Sequence, residues 1–437
     1  DPKTNAIIDY SDDTMTRIVS FTRKRIVIVQ RPNATIYNPR VLPSESAFST
    51  DNVHSFILSH CAAKAIKSPQ DAIDLMTWTW MYERLYANPN YYGIYEDAAV
   101  DDGVAVSTFL SELVEESLDH LKQANCVSFT DAVIQAEPLG KIAAFYGVHP
   151  STVDMFALSL GRSTKIKGVL ELVCASEECH DLAVSVSDLE LLERLNQMVP
   201  FPTRDLHTAK SKVNLLLQAH FSRITLFGSL ANDLVMILPY VYKLALALVE
   251  VALAVTRHAN SAVKACEFVQ MLVQAQWDWD HPMMCIPHLT RDFCAELKQE
   301  RGIENVYDLV DLIDDGEKMA ILNSAVGGDQ GKLSDIVRAL NRYPSLCASI
   351  LSLTEDKIKL KVERDVEEFE IVAPRFPIRK QEQWWVIVQD EDATILAVKK
   401  MAFTDPETVI ELDLHGIPEK VLLICDGYVG CDQELKC

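Results

Sequence analysis

Positive charge is scarce in this chain: 41 Lys and Arg stand against 63 Asp and Glu over 437 residues, a net charge of −22. Such a surface repels phosphate, so broad nucleic-acid binding would need a local basic stripe. None is visible along the sequence, where Arg23, Lys24 and Arg25 form the densest basic cluster, beside an expected strand. Paired cysteines are missing too. The 11 cysteines are odd in number and scattered, without a CxxC pair. Cys174, Cys179 and His180 come nearest to a metal pattern, but their spacing fits no usual zinc loop. This usage points to a reducing compartment.

Catalytic motifs are also lacking. A phosphate-gripping loop of the form GxxxxGK[ST] has one near miss, Gly327-Gly328-Asp329-Gln330-Gly331-Lys332. Its glycines are too close together and Leu333 replaces the required hydroxyl, so it is expected to be a plain loop. No GxSxG, HExxH, EF-hand loop or DExH box occurs. Glu115-Glu116 and Glu367-Glu368 are adjacent carboxylates that point apart on a helix or strand. The Trp277/Trp279 and Trp384/Trp385 pairs could stack bases, but packing is the simpler reading. One of Trp384 and Trp385 is expected in the core and the other only partly covered. The expectation is a chain with no catalytic, cofactor-binding or metal-binding residue of its own.

What the sequence does have is a long apolar run, Leu234 to Val255, LVMILPYVYKLALALVEVALAV. Lys243 and Glu250 lie inside it and Pro239 interrupts it, which speaks against a membrane span. Leu244, Leu248, Val251 and Val255 share one helical face, yet the other faces are apolar as well. A helix apolar all round belongs inside a bundle. These side chains are therefore expected to be buried, with only Lys243 near an opening.

The periodicity divides the chain into a mainly α, multi-domain protein with a C-terminal β-sandwich. Residues 1–45 read as a piece of another domain, with a β-rich run from Arg25 to Gln30. Residues 46–137 read as a winged helix. In it, Asp51 caps a helix through Lys67 and Pro69 opens a second carrying Leu75, Trp78, Met81, Tyr82 and Leu85. Ser107 to Asn125 forms the third helix, and a short β wing follows. Residues 138–285 read as a helical bundle around the apolar run, ending in a helix over Asn260 to Trp277, and 286–345 as a helix–loop–helix. From about Pro344 the period shifts from 3.6 to 2. Runs such as IKLKVER, WWVIVQ and KVLLICD predict an antiparallel sandwich of immunoglobulin or fibronectin-III type over 346–437.

Several motifs fall in order along these modules: Asp74 to Trp80, Lys212 to Arg223, Gln270 to Trp277 with Ile286-Pro287-His288-Leu289, Asn341 to Pro344, and Gly430 to Glu434. The series resembles the Sec-sixty-three homology unit of Ski-two-like helicases, in its spliceosomal branch, over nearly the whole chain. The resemblance implies that residues 1–45 are the remnant of a second RecA-like domain. Thr16 to Arg25 falls at that domain's final motif but lacks its Gln and glycine. It further implies a second, degenerate helicase cassette, acting as a protein-binding and regulatory module in pre-mRNA splicing in the nucleus. The implied partners are U5 snRNP proteins and the parent's N-terminal cassette, with RNA binding weak or absent and no membrane. ATP and magnesium would belong only to the parent's helicase domains, where U4/U6 unwinding resides. The apolar run falls at the family's ratchet helix, with Lys243 as its one central donor and the weak nucleic-acid candidate. The alternative is a nucleic-acid-gripping tail of an active helicase, including the ribosome-rescue or alkylation-repair type. The endoplasmic-reticulum translocation protein that gave the unit its name is disfavoured, because no J-domain is present.

Overall fold

The computed structural model describes the backbone of residues 8–9, 17–21 and 24–29, together with residues 45–46, 48, 50–95, 102–130, 133–310, 316, 319, 322–323, 326–354, 356–365 and 368–437. The basic trio begins outside them, at Arg23. Two compact units emerge, Asp1–Pro150 and Ser151–Cys437.

The first unit opens with three short strands: β1 (Ile8–Asp9) runs parallel to β3 (Lys24–Val29), which pairs antiparallel with β2 (Arg17–Phe21). A winged helix follows. Helix α1 spans Thr50–Ala62, so Asp51 lies inside its first turn and the helix stops well before Lys67. The expected second helix divides in two, α2 (Pro69–Met76) and α3 (Trp80–Ala87). Its start is as read: Ser68 and Asp71 form a capping box around Pro69. The break follows from side-chain competition for the backbone, as the hydroxyls of Thr77 and Thr79 donate to the carbonyls of Asp74 and Met76, both at 2.7 Å. Met76, Met81 and Leu85 turn inward, whereas Trp78 is 68% exposed. Helix α4 (Asp102–Gln123) starts earlier than Ser107 and buries Val106, Leu110, Leu113, Val114, Leu118 and Leu121 at helical spacing. The wing is the hairpin β4 (Val127–Thr130) and β5 (Val133–Ala136), leading to α5 (Pro138–Tyr146). Gly140 in α5 is required by closeness: a Cβ there would sit 2.1 Å from the Cys126 carbonyl oxygen.

A charged clamp ties the chain entering the winged helix to α3. Glu45 accepts from Arg84 Nε and Nη2 (3.0 and 2.5 Å), Asn88 (3.0 Å) and Tyr92 (3.1 Å). These donors, Arg84 above all, pull the Glu45 carboxyl down to about 2.

The second unit holds α6 (Pro150–Ser159), α7 (Ile166–Cys174), α8 (Val186–Asn196), α9 (Ala209–Phe221), α10 (Ser229–Val251, extended by a π-turn to Thr256) and α11 (Ala259–Gln274). Lys212, 3% exposed, is the polar pin of this bundle. Its ammonium donates to Asp188 (2.8 Å), Asp233 (2.7 Å) and the Ala183 carbonyl (3.0 Å), joining α8, α9 and α10. The Lys212 contact holds the Asp188 carboxyl well below its usual range. Helices α12 (Arg291–Arg301), α13 (Val306–Val310) and α14 (Gln330–Arg342) follow. The expected glycine loop proves half helical. Gly327 and Gly328 turn with positive φ, but Gln330 to Lys332 form the first turn of α14, capped by Asp329.

Two antiparallel sheets complete this unit. Strands β6 (Leu346–Leu353), β7 (Lys357–Arg364) and β10 (Glu407–Asp413) form one in the order β10-β7-β6. Strands β8 (Trp384–Gln389), β9 (Ile395–Met401), β11 (Lys420–Cys425) and β12 (Gln433–Lys436) form the other, in the order β12-β11-β8-β9. In β7, Ile358, Leu360 and Val362 point into the sandwich, while Lys357, Lys359 and Lys361 pair with acidic partners outside. Strand β8 breaks that alternation and is buried at every position. Trp384 faces the sandwich core and Trp385 the opposite side, yet both are buried, at 0 and 1% exposure. The expectation that one would be only partly covered fails because the outer face of the four-stranded sheet is itself packed, with Lys400 lying 4.8 Å over the Trp385 ring.

The Glu45 clamp sets an acid dependence. A carboxylate whose folded value lies near 2 rather than 4.5 lends stability in full above about pH 4.5 and loses it as pH falls toward 2. Glu45→Gln should cost the winged helix about 1–3 kcal/mol at pH 7. Acid titration followed by circular dichroism should show the difference between the variant and the parent chain shrinking below pH 4.

Candidate functional site

Helix α11 is the element around which the candidate site is built. Its buried glutamines reach out of the bundle into the sandwich. Gln270 Nε2 donates to the Cys425 carbonyl (2.8 Å) and to the Asp432 carboxylate (3.0 and 3.2 Å), and Gln274 Nε2 to the Gly427 carbonyl (2.5 Å). At its start, the α10–α11 turn adds to the β8–β9 hairpin. Ala259 N–H donates to the Ala393 carbonyl (2.8 Å) and Ile395 N–H to the Arg257 carbonyl (3.0 Å). At its end, Arg223 Nε donates to the Ala275 carbonyl (2.8 Å) and Nη2 to the carbonyls of Gln274 (3.3 Å) and Met284 (2.5 Å), caps that suit a helix C-terminus. The reading of Asn260 to Trp277 as helix is close, with the end falling three residues earlier at Gln274.

Helix α10 lies against α7, α9 and α11, and its Tyr242 packs edge-on against Phe376 from the segment before β8, ring centroids 5.3 Å apart. Ile237, Leu238, Val241, Leu244, Ala245 and Leu248 are buried there. The other side of its first half is open: Val235 is 57%, Met236 66% and Tyr240 57% exposed. Lys243 continues the same stripe and is exposed, with no carboxylate pairing with it among the described residues. Val255, in the terminal π-turn, is 36% exposed. The expectation of burial all round is thus corrected for Val235, Met236, Tyr240, Ala254 and Val255, and upheld for most of the middle turns. An apolar composition could not distinguish a helix surrounded by partners from one covered on a single side. Pro239 does not break the helix, which runs through it. Ser229–Thr256 is long and apolar enough to cross a membrane by those two measures, with half of its most apolar window buried inside the unit.

Cys174 and Cys179 are buried, burial pushes the Cys179 thiol up to about 12, and His180 instead meets Glu177 at 3.0 Å. No group of three His, Cys, Asp or Glu able to hold a metal ion occurs among the described residues. At the glycine turn, Asp329 Oδ1 accepts from the amides of Gly331 (2.9 Å) and Lys332 (3.2 Å), so the amides a phosphate would need are occupied. Trp277 is buried and Trp279 is 52% exposed, the rings stacked at 4.5 Å. Glu115 and Glu116 lie exposed on α4.

A winged helix, a helical bundle organised by one central helix, and a two-sheet sandwich together define a class. The family described as Sec63 Brl domain matches residues 136–437, and the Winged Helix-turn-helix domain matches residues 45–131. The chain belongs to the Sec63 Brl family. Among its relatives, it is 32% identical over 421 residues to the U5 small nuclear ribonucleoprotein 200 kDa helicase of Homo sapiens, covering 92% of this chain and 19% of that protein. To the pre-mRNA-splicing factor brr2 of Schizosaccharomyces pombe it is 30% identical over 469 residues, covering 99% of this chain and 21% of that one. A third relative is the activating signal cointegrator 1 complex subunit 3-like protein of Dictyostelium discoideum, 30% identical over 414 residues, 87% of this chain and 18% of the relative. The chain therefore spans about a fifth of the length of the relatives it matches.

The one-sided packing of α10 has a direct consequence. Met236→Lys should change the stability of the second unit by no more than about 0.5 kcal/mol, as at an exposed site. Leu248→Ala, in the buried stripe, should cost about 2–5 kcal/mol. Urea denaturation of the two variants checks both values.

Proposed function

We propose that this chain is a non-catalytic protein-interaction and regulatory module of a spliceosomal RNA helicase, taking part in pre-mRNA splicing in the nucleus. The observation that carries the reading is the exposed stripe of α10, where Val235, Met236 and Tyr240 accompany a single cation, Lys243. Phosphates are held by cations and polar donors, and bases by hydrogen-bonding edges or stacked rings. A stripe that offers one ammonium and one ring, Tyr240, and is otherwise apolar suits the surface of another protein domain better. The similarity to U5 and pre-mRNA-splicing helicases supports the spliceosomal assignment.

In this reading residues 1–45 are the tail of a second RecA-like domain, and the modules after it follow the division at 46–137, 138–285, 286–345 and 346–437. ATP, magnesium and the unwinding of U4/U6 belong to the parent's helicase domains. The partners are U5 snRNP proteins and the parent's first cassette.

Fluorescence anisotropy with a single-stranded RNA tests the reading. Binding should be no tighter than about 100 µM near physiological salt, the weak end of non-specific affinity, and unchanged by Lys243→Ala. Affinity near 1 µM that falls steeply with salt and is lost in Lys243→Ala would establish the gripping-tail alternative instead. Affinity capture from nuclear extract should recover U5 proteins with the parent chain.

A further inference from the structure

The structure assembles a basic site that no stretch of sequence displays. Two clefts, of about 570 and 340 Å³, meet along Pro287, His288, Ala373 and Pro374, between the end of α9, the segment before α12, α14 and the loop that precedes β8. Arg223, Arg291 and Arg375 line the larger, and Arg338, Arg342 and Arg379 the smaller, against only two carboxylates, Asp335 and Glu370. In a chain of net charge −22 this is a concentrated reversal of sign. No basic stripe is visible along the sequence, yet the fold builds a basic surface here. The arginines are spread over 156 positions, from Arg223 to Arg379, and are brought together only by the fold.

Three of the six are already engaged. Arg223 caps α11, Arg291 pairs with Asp280, and Arg342 pairs with Glu368 and with Glu370. Arg338, Arg375 and Arg379 are exposed and have no carboxylate partner among the described residues. Burial, and after it the charge of Arg375, depresses the basicity of Arg223, with the Asp280 carboxylate opposing them.

The lining also limits the occupant. No Phe, Tyr or Trp lines either cleft, and the ring the two share, His288, is held by Asp335 at 2.9 Å, so bases would find no large aromatic platform there. The floor is instead aliphatic, with Ile286, Leu289, Ile371 and Val372 beside the two prolines. Planar guanidinium forks over an aliphatic floor match carboxylates alternating with apolar side chains.

We propose that this double cleft docks an extended, acidic segment of a partner protein, rich in Asp and Glu with interspersed aliphatic residues, whose carboxylates engage Arg338, Arg375 and Arg379. It deepens the interaction reading above by naming the chemistry of one partner, and none of the cleft's lining residues belongs to α10.

The test is fluorescence anisotropy of the full chain with a labelled peptide of about twelve residues, Asp and Glu alternating with Leu, an extended length of roughly 40 Å. Saturable binding is expected, falling as salt screens the charges. It should weaken at least about tenfold in the triple variant Arg338→Gln, Arg375→Gln, Arg379→Gln. Removing the same charge elsewhere, with Lys357→Gln, Lys359→Gln and Lys436→Gln, should leave it unchanged. Equal binding of the Asn/Gln counterpart peptide, no binding, or equal loss in the lysine variant would overturn the proposal. So would tighter binding of an oligouridine that is lost in the arginine variant, which would make the cleft an RNA site. None of these failures involves Lys243, so the α10 reading stands or falls by its own test.

Discussion

Everything in the second unit depends on how α11 is held at both ends and along its middle. Its apolar residues fill the bundle, but two of its buried amides are satisfied outside it. Gln270 and Gln274 donate to the turn after β11, and the turn before α11 is hydrogen-bonded to the β8–β9 hairpin. A buried amide left unpaired costs about 1–3 kcal/mol, so these glutamines fix where the sandwich must sit. Burial of β8 on both faces follows from the same constraint, since the outer face of its sheet is turned toward the helices.

That arrangement also explains the two surfaces to which function is assigned. Because α11, α9 and α7 cover α10 from one side, the first half of α10 keeps an open apolar stripe. Because Arg223 closes the end of α11, the segment after it is drawn beside the Ala373-Pro374 loop, and arginines from four separate stretches line the two adjoining clefts. An acidic chain thereby carries one apolar and one cationic surface, each suited to a protein partner. The Sec63 Brl family supplies the scaffold, and these surfaces give this chain its particular character.

Much of the architecture was legible in the sequence, and the failures share a cause. Capping residues, the change of period near Pro344 and the order of the motifs placed the modules, because those signals are local. The split of α2 from α3 turned on two threonine hydroxyls that compete for backbone carbonyls, a weak signal within an otherwise helical pattern. The exposure of Val235, Met236 and Tyr240 was hidden because composition records that a side chain is apolar, and not whether a neighbour covers it. Trp385 erred in the opposite direction, with a lysine of the neighbouring strand, Lys400, lying over its ring. The arginine cleft was invisible for the same reason, since no run of basic residues encodes it.

Native-state hydrogen exchange measures the central claim, that α11 joins bundle and sandwich into one cooperative unit. Buried amides of α11, β8 and β11 should exchange with a common free energy, equal to that of global unfolding of the second unit and falling together with added denaturant. Exchange of α11 through a local opening, while β8 and β11 stay protected, would contradict it.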